Sequence, residues 1–213
     1  MRKLLFVLLT LLSAMGVCAQ ENNVKFSVNV GPQWNTNIGA LVGADVLIPF
    51  GHSRWGFEPG VYWSYRSTKS NHDNDQTKEE LNDKLHYVSI PLRFAARVAG
   101  SDDGAFNMSV LMGPYVAYGL SGKSHCTITE DGNVTKSEVD AFGDEGRLDS
   151  RFDYGLNFGI ETLVKRHLKV SAFTEIGLKK IYKPHDFVED LLGDMFGVTK
   201  INIGAGITVG YQF

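Results

Sequence analysis

The sequence predicts an all-β fold, an eight-stranded antiparallel up-and-down transmembrane β-barrel with short periplasmic turns and long outer loops. Three observations carry this expectation. The chain opens on a short apolar leader. Eight later segments alternate in polarity, and each reaches the roughly 9–11 residues that a tilted strand needs to cross a bilayer. The joins between them are alternately short and long.

The leader comes first. Arg2 and Lys3 precede an apolar run over 4–17. That run is shorter than the roughly 20 residues of a spanning helix. Val17-Cys18-Ala19 fits a small-residue cleavage site, so the expected organisation is a signal peptide over 1–19 and an outer membrane β-barrel domain over 20–213. Lipidation of Cys18 would call for a small residue before it, and Val17 is not small. Cleavage leaves Cys126 as the one thiol, expected in a loop. It can form no internal disulfide and no cysteine metal site. A net charge of −3 gives no argument for nucleic acid.

The strands follow in order. Segment 24–34 places Val24, Phe26, Val28 and Val30 on one face, because alternate residues of a strand share a face. Segment 38–50 carries Ile38, Ala40, Val42, Ala44, Val46, Ile48 and Phe50. Segment 55–66 carries Trp55, Phe57, Val61, Trp63 and Tyr65. In 85–98 the apolar set is Val88, Ile90, Leu92, Phe94, Ala96 and Val98. In 105–120 it is Phe106, Met108, Val110, Met112, Val116 and Tyr118. Segment 151–164 carries Phe152, Tyr154, Leu156, Phe158, Ile160 and Val164, and 168–181 carries Leu168, Val170, Ala172, Ile176 and Leu178. The last, 201–213, alternates without a break and ends on Phe213.

The joins at 51–53, 100–104 and 165–167 are short, whereas 68–84, 121–150 and 183–198 are long; of the outer loops only the first, near Asn35 to Asn37, is short. A soluble eight-stranded barrel also alternates, but it keeps charged faces in water. Here the minor face is rich in small residues such as Ser27, Gly43, Gly60, Gly113, Gly155, Gly204 and Gly206, which suit a narrow lumen. Trp34, Trp55, Tyr65, Tyr118, Tyr154, Tyr211 and Phe213 gather toward strand ends, as interfacial girdles do.

Three motifs resemble a known family. Residues 87–94, with Ile90-Pro91-Leu92, resemble the fourth strand of the PorT-like outer membrane β-barrel domain of Gram-negative bacteria. Gly113-Pro114-Tyr115 resembles its fifth strand, and Val209-Gly210-Tyr211-Gln212-Phe213 its usual end. The resemblance covers nearly the whole chain after the leader. It implies an eight-stranded, porin-labelled outer membrane barrel and no single activity; one branch serves protein secretion and gliding. It also implies that Tyr211 and Phe213 form the signal read by the barrel-assembly machinery.

By parity Lys25, Asp45, Glu58, Arg93, Arg97, Asp153, Glu161, Lys169, Glu175 and Lys179 face the lumen. Counting from the periplasmic turns puts Asp45, Glu58 and Arg93 at one height on neighbouring strands, with Arg97 completing an ion-pair cluster. A plug is the bland reading of such a cluster, since buried charges need partners. A selectivity filter or proton path is the functional one. The plug is preferred, because side chains just fill an eight-stranded lumen.

The six histidines lack HxH or HExxH spacing. His86 and Ser89 have opposite parity, so no acyl-hydrolase constellation forms from them. Asp73-Asn74-Asp75 lacks the glycine and downstream glutamate of a calcium loop. In 185–196, Phe187, Leu191, Leu192 and Met195 have helical spacing and form either a partner-binding surface helix or a lid over the barrel mouth. The expected protein is a non-enzymatic outer membrane barrel with no cofactor or metal. Its role is structural, adhesive or partner-binding and is carried by the outer loops. A small porin-like channel or ligand-carrying barrel is the alternative, and a secretion accessory a third. The expected partners are outer membrane lipids, the assembly machinery and an unidentified envelope protein.

Overall fold

The alternating segments close into a ring. The computed structural model describes residues 24–74, 77–100, 106–130, 133–142, 148, 150–179 and 203–213, with side chains described except at 70–74, 77 and 79. Its strands are β1 (Lys25–Trp34), β2 (Ile38–Pro49), β3 (Trp55–Asn74), β4 (Thr77–Gly100), β5 (Phe106–Glu130), β6 (Asn133–Asp140), β7 (Phe152–Val164), β8 (Leu168–Gly177) and β9 (Ile203–Gln212). Neighbours run in the order β4-β3-β2-β1-β9-β8-β7-β5, and β4 also pairs with β5. Eight strands thus form a closed antiparallel barrel, one for each expected segment. Closure satisfies every ladder internally, which hydrocarbon demands because it offers backbone groups no other partner.

The faces settle which solvent surrounds the ring. Val28, Val30, Ile38, Val42, Val61, Phe94, Met112, Ile160 and Val209 are all exposed. Ser27, Asn29, Gln33, Asp45, Glu58, Arg93, Asp153, Asn157 and Lys169 are all buried. A water-soluble barrel would have these two sets reversed. Apolar outside and polar inside is the arrangement of a barrel in lipid.

Two expected loops are instead strands. The ladder of β3 and β4 continues outward from Arg66↔Leu85 to Asn74↔Thr77. That of β4 and β5 continues to Thr77↔Glu130, and β6 then folds back along the outer part of β5. The segments 68–84 and 121–150 therefore supply much of a four-stranded sheet, β3-β4-β5-β6, that rises past the rim. Cys126 lies within it on β5, not in a loop. The physical reason is compositional. Past the membrane the apolar face is no longer required, but Thr127, Ile128, Thr129, Val134, Thr135 and Val139 retain β-branched side chains that favour extended chain. Loss of the alternating polarity signal marks the edge of the lipid, not the end of the strand.

At the opposite end the turns are tight. In the three-residue join between Val164 and Leu168, Lys165 and Arg166 both have positive φ, at 51° and 65°, as the central residues of a type I′ turn do, and the His167 N–H donates to the Val164 carbonyl at 3.3 Å. His167 beyond them stacks on Tyr211 with centroids 5.1 Å apart, and Tyr211 meets Phe213 edge-on at 5.0 Å. Phe213 also lies 5.8 Å from Phe26, and its N–H donates to the Phe26 carbonyl at 2.8 Å. The terminal residue thus joins the last strand to the first at the lipid boundary. The expected leader over 1–19, with Cys18, and the 185–196 segment with Phe187, Leu191, Leu192 and Met195 lie outside the described residues.

Deleting Phe213 removes both the ring contacts and the backbone donor. We expect a clear fall in the fraction of protein that shows the compact, heat-modifiable gel band. Unchanged folded yield in cells would show that the closing aromatic is dispensable.

Candidate functional site in the barrel lumen

The lumen is organised by strand register. Glu58 lies directly opposite Arg93, and Asp45 lies opposite Gly60, two positions further along β3. Arg93 Nη2 reaches Glu58 Oε1 at 2.6 Å and Asp45 Oδ2 at 3.4 Å. Asn29 donates to Asp45 at 2.8 Å from the other side. Tyr62 donates its hydroxyl to the same carboxylate. Its ring occupies the space that Gly43 and Gly60 leave open; a Cβ at either glycine would collide with it. These small residues are therefore what let an aromatic lie flat across a narrow interior.

Lys169 completes the cluster from across the lumen. From β8 its Nζ sits 2.8 Å from Asp45, 3.3 Å from Glu58 and 2.7 Å from Glu161. One ammonium thus links β8, β7, β2 and β3. Arg97 does not join the group: it is half-buried, opposite Ser109, four residues nearer the periplasmic end of β4.

A second cluster lies toward the outer mouth. Arg66 is 2.9 Å from Glu175 and 3.7 Å from Asp153. Its guanidinium also donates to Ser64 at 3.2 Å and Ser89 at 3.1 Å, and it lies 4.7 Å over the Tyr87 ring. Tyr115 donates to Asp153 at 3.1 Å. Between the clusters is a cavity of about 20 Å³ bordered by Gln33, Tyr62, Asn157 and Thr208, room for about one water. The clusters together hold five carboxylates (Asp45, Glu58, Glu161, Asp153, Glu175) against three cations (Arg93, Lys169, Arg66).

Parity places Lys169, Glu161, Asp153 and Glu175 in the lumen but assigns them no partners. Neighbour-strand register reaches only adjacent strands, whereas Lys169 bridges the barrel. Arg66 and Tyr62 go unassigned; their even positions on β3, shared with Glu58, are the signal that would have found them. Ser89 accepts from Arg66 inside, while His86 stacks on Trp63 at 5.5 Å outside. Among the described residues no group of His, Cys, Asp and Glu has metal-binding geometry. The side chains of Asp73, Asn74 and Asp75 lie outside the described set.

Replacing Arg93 with Gln strands Glu58 and Asp45 beside one remaining cation. Removing one partner of a buried pair costs about 3–5 kcal/mol. The exposed Lys69–Glu80 pair, 3.6 Å apart, offers a contrast; Lys69→Gln is expected to cost under about 1 kcal/mol. Urea unfolding of the two variants in detergent micelles measures the difference, and equal costs would refute a tightly coupled cluster.

The family comparison agrees with this architecture. Residues 13–183 match the model of the outer membrane protein beta-barrel domain family. A search of curated proteins finds no significant match. Among solved structures, a major outer membrane protein from Thermus thermophilus is 12% identical, with 89% of this chain and 99% of that one covered and a TM-score of 0.44. CarO of Acinetobacter baumannii is 9% identical, with 87% and 97% covered and a TM-score of 0.43. Ail, the attachment invasion locus protein of Yersinia pestis, is 11% identical, with 89% and 96% covered and a TM-score of 0.31. The chain belongs to the outer membrane protein beta-barrel domain family and is an eight-stranded barrel of the bacterial outer membrane.

Proposed function

We propose that this barrel passes no steady current and catalyses no reaction, and that a structural, adhesive or partner-binding role is carried by its outward sheet. The filled lumen supports this reading best. Buried side chains enter from all eight ring strands, among them Asn29, Asp45, Glu58, Arg93, Tyr115, Asp153, Lys169 and Thr208. An eight-stranded ring has an interior about as wide as its own side chains. The charged groups that would serve as a nucleophile's base or acid are committed to one another in ion pairs.

What remains available to a partner is above the rim. β6 exposes nearly all of its side chains and pairs on one side only among the described residues. An unpaired edge and two solvated faces give the outer sheet more recognition surface than the lumen offers. During biogenesis the closing Tyr211 and Phe213 would be read by the barrel-assembly machinery, as the family resemblance implies.

Planar-bilayer recording of the purified barrel is expected to give no stable single-channel steps. Large, persistent steps would replace the plug with the porin-like alternative. Pull-down from native membranes, with the intact barrel and a version whose β3–β6 extensions are shortened, tests the second half. Partners lost with the sheet support the reading. Secretion components retained equally by both forms would favour a secretion accessory and remove the outer sheet from its role.

A further inference from the structure

Just beyond the lipid belt, the membrane-facing side of the outer sheet carries a basic recess. Lys84 on β4 lies directly opposite Lys123 on β5. Like charges placed opposite each other across a ladder repel, so the arrangement costs stability unless an anion lies near. Asp140 answers one of them, 3.0 Å from Lys123, with Glu138 at 3.5 Å. Both acids hold the Lys123 ammonium above its usual range, so it stays charged. Lys84 is exposed and has no ion pair among the described residues.

Arg151 adds a third cation. Its Nη1 donates to the carbonyls of Gly119 at 3.2 Å and Leu120 at 2.9 Å, and its guanidinium lies 4.8 Å over the Phe142 ring. That anchoring fixes the planar group and leaves other N–H donors unused. These three cations and one carboxylate, Asp140, line a cavity of about 420 Å³ together with Tyr65, His86, Leu120 and His125. His125 is 3.3 Å from Glu138, and His86 is sandwiched by Trp63 and Tyr65.

Height identifies the occupant. On the same face below the recess are Trp63, Val116, Tyr118 and Leu120, all exposed. Aromatic rings of this kind sit at the headgroup level. Lys84 is two residues outward of His86 on its strand, about 7 Å at the rise of a strand. Lys84 and Lys123, which alternate with the buried Asp83, Leu85 and Ser124, therefore stand on the lipid-facing side where the phosphates of the outer leaflet lie, and Arg151 reaches the same recess from its anchor over Phe142.

We propose that Lys84, Lys123 and Arg151 bind a phosphate of a phosphorylated glycolipid of the outer leaflet, with Tyr65, His86 and Leu120 against its sugar and upper acyl region. The occupant is a lipid because the recess adjoins the apolar belt, and a phosphate suits it because three cations face one lining carboxylate, Asp140, which is paired with Lys123. Arg and Lys bind phosphate through short charge-assisted hydrogen bonds. The proposal needs the membrane placement of the barrel and is independent of whether the lumen conducts.

The test uses the full barrel in a zwitterionic detergent, with bisphosphorylated lipid A, its dephosphorylated form and inorganic phosphate as probes. Native mass spectrometry is expected to retain lipid A on the wild type and not the dephosphorylated lipid. Lys84→Glu should weaken retention at least about tenfold, the loss of one charged hydrogen bond, and Arg151→Ala should do the same. Arg54→Ala, at the periplasmic end, should change nothing. Heat-modifiable mobility checks that each variant is folded; should Arg151→Ala fail it, Lys84→Glu alone carries the test. Equal retention by Lys84→Glu and wild type, or equal binding of the dephosphorylated lipid, overturns the proposal. Displacement of lipid A by inorganic phosphate at matched concentration would reduce the site to a free-anion site and overturn the lipid assignment.

Discussion

A strand in hydrocarbon has no water to satisfy its N–H and C=O groups, and an unpaired edge there costs several kcal/mol for each group. Ring closure, through the β1–β9 and β4–β5 ladders, is therefore the constraint on which this molecule depends. Everything else follows from it. Alternate residues must point to opposite sides of the ring, so an apolar belt outside forces a polar interior. With eight strands that interior is narrow, and its polar groups must satisfy one another.

The lumen shows how far that requirement reaches. Charges on a single strand cannot meet across it, and register brings only neighbours such as Glu58 and Arg93 together. Lys169 spans the remaining gap and draws carboxylates from three other strands onto one ammonium. Glycines on β2 and β3 clear the space for Tyr62, which ties the cluster toward the outer half of the barrel. The two clusters then share an interior with room for about one water between them. Each cluster has one more carboxylate than cations, and each cation is shared between at least two carboxylates.

Beyond the rim the constraint is released and the same chain takes another form. Three strands, β3, β4 and β5, continue past the rim, and β6 pairs with β5 outside the cylinder. The rim itself, where aromatics give way to Lys84, Lys123 and Arg151, is where the two regimes meet. A basic residue on the lipid-facing side is tolerable only at that height, since deeper it would lie in hydrocarbon.

The division between sequence and tertiary structure falls along the range of the interactions. Alternation is a local property, so the ring strands, their facing residues, the Glu58–Arg93 contact and the aromatic closing strand were legible from the chain alone. Arg97 has the right parity but the wrong height, and only the finished register excludes it from the cluster. The extensions of β3, β4 and β5 were illegible because a strand solvated on both faces carries no polarity period. Lys169 needed the ring itself: Asp45 and Glu58 lie far from it in sequence and on strands that do not neighbour its own, and closure alone sets them face to face.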